Sequence, residues 1–220
     1  MKRILPGDLI WLAVLAIITA FFIVPSTHQI FVRLTGEHPY IMGFIKFAVL
    51  ATMGELLVKR LARGAWQKLP GLVYKILVWG IIGVMVTFVF SLYSLGTAAV
   101  VEKGLLPAGS GGVKTFLLAF FTSTMMNLTF GPVFMAAHRV SDTFIDLRVQ
   151  GKKVSLKNAV ERIDWADFVN FVVAKTIPFL WIPAHTIAFL LPAEYRVLVA
   201  AYLSIVLGIV LVYARSRKSK

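Results

Sequence analysis

Six apolar stretches of this chain each meet or approach the length needed to cross a lipid bilayer, and nothing else narrows its possible folds as far. They run roughly 8–25, 41–62, 73–96, 114–137, 166–191 and 195–214. A hydrocarbon core about 30 Å thick takes about 20 helical residues to cross. The stretches are continuous rather than alternating, unlike the two-residue period of a membrane β-barrel. Lipid offers backbone groups no partner, so each stretch must close its hydrogen bonds within a helix. The expected fold is therefore all-α: a polytopic helical membrane bundle of about six transmembrane helices (four to six), forming one domain over residues 1–220. Composition agrees. Charged residues make up 15% of the chain, against roughly 25% in a soluble domain.

A net charge of +13 would suggest nucleic acid in a soluble protein, but its distribution points elsewhere. With the N-terminus inside, the inner segments hold Lys2, Arg3, Lys59, Arg60, Arg63, Lys68, Lys75, Arg139, Arg148, Lys152, Lys153, Lys157, Arg162, Arg215, Arg217, Lys218 and Lys220. The outer segments hold only Arg33, Lys103, Lys114 and Arg196. That asymmetry is the positive-inside rule, and it places both termini in the cytoplasm of a multi-pass protein of the cell (plasma or inner) membrane. The expected partner of the basic face is anionic lipid headgroups, and nucleic acid is not expected. Cysteine is absent, which excludes disulfides, thiolate metal sites and cysteine nucleophiles. No metal or other cofactor is expected. The opening MKR and its apolar run end in FFIVPSTH without a small-residue cleavage site, so the run reads as a retained first helix.

The connections are short. Residues 25–40 read as a link carrying His28, Arg33, Glu37 and His38, and 102–112 as a glycine-rich one without the GK[ST] ending of a phosphate loop. The longest inner segment is 139–165. Within it Ser155 can cap a short amphipathic surface helix around 154–165, with Leu156, Val160 and Ile163 on its apolar face. Small residues recur at Ala16 and Ala20, at Gly83, Thr87 and Ser91, and at Ala200, Ser204 and Gly208. Such stripes let helices approach closely within one bundle, and they are also compatible with a homo-oligomer face.

Function must lie in the few polar groups inside the apolar runs, where a charge at bilayer centre costs about 2.5–3.5 kcal/mol. Lys46 stands near the outer end of the second run and is expected to snorkel to the headgroups, a structural role. Glu55, deeper in that run, has Lys59 one turn on. In the fourth run Asn127, Gly131, His138 and Asp142 fall within about 60° of one another, with Pro132 expected to kink the helix. The fifth run carries Asn170, Lys175, Pro178, Trp181, Pro183 and His185, with Lys175, Pro178 and His185 near one stripe and bends expected at the prolines. By helical rise Lys175 lies about 14 Å and Glu55 about 9–10 Å from the inner surface, so the two are expected to pair. Glu55, Asn127, Asn170, Lys175 and His185 are the candidate lining of a polar path. The alternative is that they only fix helix orientation.

Neither HExxH nor GxSxG occurs, and no apolar run holds paired aspartates, so an enzyme is not expected. His138 with Asp142 at i+4 could in principle hold a metal or form a base pair, but an interfacial histidine beside an acid is more often structural.

Trp165, Asn170 and Phe171, then Pro178, Arg196 after Tyr195, and Tyr202-Leu203-Ser204 form a sparse C-terminal pattern. Together with Gly54-Glu55 and Phe130-Gly131-Pro132 it resembles the Mpv17/PMP22 family of integral membrane proteins. The resemblance implies a small channel-like protein affecting ion or small-metabolite permeability. The competing expectation is a non-catalytic membrane scaffold or lipid-interacting protein without flux of its own. An ion or small-molecule substrate is the partner that separates the two.

Overall fold

A computed structural model describes residues 4–218, with side chains described through residue 210. Lys2, Arg3 and Lys220, and the side chains of Arg215, Arg217 and Lys218, all part of the charge asymmetry, lie outside the described residues. Nine α-helical elements are present among them: α1 (Pro6–Ile23), α2 (Pro25–Glu37), α3 (Pro39–Arg63), α4 (Leu72–Glu102), α5 (Gly111–Val149), α6 (Leu156–Glu161), α7 (Trp165–Asp167), α8 (Ile182–Leu190) and α9 (Ala193–Lys218). A π-helix, Phe168–Trp181, joins α7 to α8. No strand occurs among the described residues. Six helices are long and apolar enough to cross a membrane, with α7, the π-helix and α8 counting as one. The protein is an integral membrane protein built as a helical bundle.

Helix starts and stops follow backbone chemistry. α1, α2 and α3 each begin at a proline, whose missing N–H falls where a helix has no use for it. α3 ends at Gly64 with φ of 77°, a left-handed cap that costs a side-chain-bearing residue more than glycine. Pro25 starts a new helix directly after α1, so residues 25–37, expected as a link, are helical. α5 also outruns its expected end: it continues to Val149 and passes through Pro132 without a break. The surface helix shrinks accordingly to Leu156–Glu161, with the Ser155 hydroxyl accepting from Asn158 N at 3.1 Å. Its Ala159 and the following Ile163 are buried, whereas Leu156 points outward.

α3 lies at the centre, between α4 and α9. Two glycine crossings hold it there. Gly43 and Gly83 bring α3 and α4 into backbone contact, where a methyl group on either would strike the other's carbonyl or the Thr87 hydroxyl. On the opposite flank a methyl at Gly54 would sit 3.1 Å from Ser204, and Gly208 faces Val58. The stripes around Gly83 and Ser204 are thus internal packing seams. Ala16 and Ala20 differ, since they lie exposed on α1. α4 and α9 in turn carry α5 and α8, which pack on each other.

The fifth span departs most from expectation. Instead of a bent α-helix it winds as a π-helix for 14 residues, with Pro178 inside and Pro183 in the first turn of α8. A proline ring in an α-helix crowds the carbonyl four residues back. The wider i→i+5 turn moves that carbonyl away. It also holds more residues per turn, so positions that share a face at α-helical spacing drift apart. Phe168 and Ile177 are the buried residues of this segment, and Lys175 is exposed.

Candidate functional site

One face of α5 assembles the polar interior. Ser123, Asn127, Gly131, His138, Asp142 and Asp146 recur at spacings of four and seven, which keeps them on one stripe of an α-helix. From Ser123 to Asp146 the stripe runs about 35 Å along the axis, close to the thickness of a hydrocarbon core.

At one end, where α3 and α5 finish and α4 begins, the stripe meets Lys75. This lysine, in the first turn of α4, has a side chain only 1% exposed. Three carboxylates converge on its Nζ: Glu55 Oε1 of α3 at 3.0 Å, Asp146 Oδ1 of α5 at 3.3 Å, and Asp142 Oδ1 of α5 in a shorter contact. Glu55 also takes the Trp79 indole N–H at 3.3 Å and lies 3.7 Å from Lys59. The His138 ring covers Trp79, with centroids 4.3 Å apart. Exposure of the acids grades from 46% at Asp146 through 29% at Asp142 to 15% at Glu55. The ammonium is sealed while its partners lead out to the surface. Beside this cluster Asp8 of α1 accepts both Arg60 Nε at 2.8 Å and an Arg60 terminal nitrogen at 2.7 Å, together with the Trp66 indole at 2.8 Å. That fork pins α1 to α3.

Halfway along α5 the chemistry turns neutral. Asn127 Nδ2 donates to Ser123 O at 2.8 Å and lies 3.1 Å from His185 Nδ1 of α8. Asn127 Oδ1 is 3.2 Å from the same His185 Nδ1, so the amide faces that ring nitrogen with both of its polar atoms. Ser123 Oγ donates to Ile182 O at 2.7 Å, tying α5 to the point where the π-helix becomes α-helix. Trp181 stacks on the His185 ring at 5.2 Å and Phe90 meets it edge-on at 5.4 Å. Among the described residues, the indole N–H of Trp181 and the hydroxyls of Thr124 and Thr52 are buried without a hydrogen-bond partner. Buried polar atoms normally find one, so these are places where water or a polar solute would be welcome.

The opposite end holds Lys46, buried to 3% exposure. It does not snorkel. Its Nζ donates to Thr35 Oγ1 at 3.1 Å and to the Glu194 carbonyl at 3.5 Å, and stands 4.7 Å from the Phe31 ring centroid. α2 closes over it, which is why the expected reach to the headgroups fails. Nearby His28 Nδ1 lies 2.8 Å from Phe22 O and its Nε2 lies 2.9 Å from the Tyr195 hydroxyl, joining α2 to α9. Arg196 donates to Leu191 O at 2.9 Å and to Ser94 Oγ at 3.3 Å.

Of the five residues expected to line a path, the structure brings Asn127 and His185 into contact and sets Glu55 on the same stripe's charged end. It does not bring in the other two. Lys175 is exposed and, among the described residues, has no carboxylate within ion-pair distance; Glu55 is taken by Lys75 and Lys59 instead. Asn170 is exposed on the π-helix as well. Among the other signature positions, Gly54 packs on Ser204 and Gly131 on Ile177. Trp165 donates to Val160 O at 3.0 Å, while Phe171 and Pro178 are half-buried. Lys75, Trp79 and Asp146 escaped the sequence reading. Lys75 passes for one more basic residue of an inner link, and Asp146 falls beyond the end of an apolar run. The available signal was the four-residue step from Asp142 to Asp146.

Comparison of the chain with protein-family models, with curated proteins and with solved structures finds no match.

Proposed function

We propose that the protein is a small channel or transporter, passing ions or small metabolites along the polar face of α5. The observation that carries this reading is the buried Asn127–His185 contact at the π-to-α switch, in line with the carboxylate end at Lys75. Interrupted spans with polar groups at mid-depth are the construction that transporters use for solute sites, and π-turns concentrate where helices do chemical work. We further propose membership of the Mpv17/PMP22 family, on the signature residues. The basic residues of the connections favour a multi-pass cell-membrane protein with the Lys75 end in the cytoplasm and anionic headgroups around it.

A scaffold without flux is the second reading. It is favoured by the way Lys75 ties α3, α4 and α5 at one atom, a contact that would suit a rigid strut. Purified protein in proteoliposomes, challenged with a panel of ions and metabolites, decides between them. The transport reading expects flux of at least one solute that Asn127→Leu and His185→Leu abolish while the protein stays folded. No flux of any solute by well-folded protein overturns it.

A further inference from the structure

The π-helix turns toward the membrane a face that its own chain does not complete. Within Phe168–Trp181 the exposed residues are Val169, Asn170, Ala174, Lys175 and Phe179. With hydrogen bonds running from i to i+5, residues four or five apart share a side, so these form one stripe. At α-helical spacing Asn170 and Lys175 would stand about 140° apart. The wider turn sets them side by side. Apart from α7 and α8, which continue it, the segment packs chiefly on α5, and the stripe is left uncovered. Lys175 follows Trp165, the first residue of this 26-residue span, by ten residues. That is at most about 15 Å along the axis, or roughly half the depth of a hydrocarbon core. A charge at such depth ordinarily pairs with another or lines a wet cavity. Lys175 stands on the outside of the bundle and has no hydrogen bond or ion pair among the described residues.

The missing counter-charge does not come from this chain or from a second copy of it, because all ten acidic residues are accounted for. Glu55, Asp142 and Asp146 surround Lys75, and Asp8 holds Arg60. Glu37, Glu102, Glu161, Asp164, Asp167 and Glu194 stand at or beside the ends of helices, away from mid-depth. Two of these, Asp164 and Asp167, are exposed at the α7 end of the same span. There they repel the lipid phosphates toward which a lysine would otherwise reach. We propose that Val169, Asn170, Ala174, Lys175 and Phe179 dock a transmembrane helix of another membrane protein, one that carries an aspartate or glutamate inside its apolar span. The carboxylate meets Lys175, and Asn170, one wide turn nearer α7, adds a second hydrogen bond. Ala174 is small enough for the two helices to approach closely. Val169 and Phe179, the latter 81% exposed, supply apolar contact on either side. The face lies apart from the α5 stripe, so it stands whether or not the protein carries a solute.

A designed apolar helix peptide with one central aspartate, compared with its asparagine and leucine counterparts, tests this in bilayers containing the purified protein. Energy transfer between labelled peptide and labelled protein should show the aspartate peptide binding about tenfold more tightly than either other, the worth of one charge-assisted hydrogen bond. Lys175→Met should abolish that preference, and Lys175→Arg should keep it. The peptide comparison on the unmodified protein holds even if a variant fails to fold. Equal binding of the three peptides, or a preference that Lys175→Met leaves intact, overturns the proposal. Two further outcomes overturn it by giving the face to something else. Self-association of the protein that Ala174→Trp abolishes makes it a contact between copies. Retention of phosphatidylglycerol over phosphatidylcholine that Lys175→Met removes, with the peptides binding alike, makes Lys175 a headgroup ligand.

Discussion

Lys75 and Lys46 are both buried in apolar helices, yet the protein treats their charges in opposite ways. Lys75 is held by three carboxylates on two neighbouring helices. Lys46 has a hydroxyl, a carbonyl and the face of Phe31, and no carboxylate within ion-pair distance among the described residues. Coulomb attraction in a low-dielectric bundle is strong only where opposite charges touch, and desolvation is charged to every buried ion regardless. The first lysine is therefore part of an electrostatic junction whose members depend on one another. The second is a local accommodation of a long side chain, solvated by dipoles and a ring, with the Glu194 carboxylate acting on it from beyond ion-pair distance. Burial alone does not mark a functional charge; the company it keeps does.

That contrast can be broken or sharpened by substitution. The largest effect should come from Lys75→Met, which leaves three carboxylates crowded with only Lys59, beside Glu55, as a nearby cation. A loss of about 3 kcal/mol in unfolding free energy is expected in detergent, at the low end of the range for broken buried pairs because the acids keep some exposure. A loss under about 1 kcal/mol would show that the junction is not cooperative and dissolve the contrast. Next, Asn127→Leu should cost about 1–3 kcal/mol by stranding His185. The double variant Asn127→Leu/His185→Leu should cost less than the sum of the two singles, a coupling that a double-mutant cycle reads directly. Lys46→Met should change stability by less than about 1 kcal/mol, since the lost donor contacts are offset by removal of a buried charge. A loss as large as that of Lys75→Met would mean that Lys46 has a charged partner after all. Last comes Lys175→Met, which should cost no stability, since it removes from a membrane-spanning segment a charge with no ion-pair partner among the described residues. A large loss there would restore the pairing once expected of it.

The comparison also shows where sequence reading succeeds and where it stops. Asn127, His138 and Asp142 were legible as one face because α5 keeps a regular 3.6-residue period from Gly111 to Val149. Asp146 follows from the same rule once the helix is known to continue. Lys175 was placed on one stripe with Pro178 and His185 by that rule, which does not hold in a segment that winds with a wider turn. Lys75 was missed for another reason. Two of its three carboxylate partners, Glu55 and Asp142, lie 20 and 67 residues away from it in the chain, and no local pattern connects them. Its surroundings in sequence are basic, so it resembled the lysines that face headgroups.

What the sequence determined by itself is the class of solution: six apolar stretches, a helix for each, and a bundle in lipid. Hydropathy and the need to close every backbone hydrogen bond away from water leave no other outcome. What only the tertiary structure decided is which charge meets which. Partner choice depends on the rotation of each helix about its axis, set by glycine crossings such as Gly43 on Gly83 and by the π-turn of the fifth span. Those are properties of neighbouring surfaces fitted together, and a single stretch of sequence carries only one side of the fit.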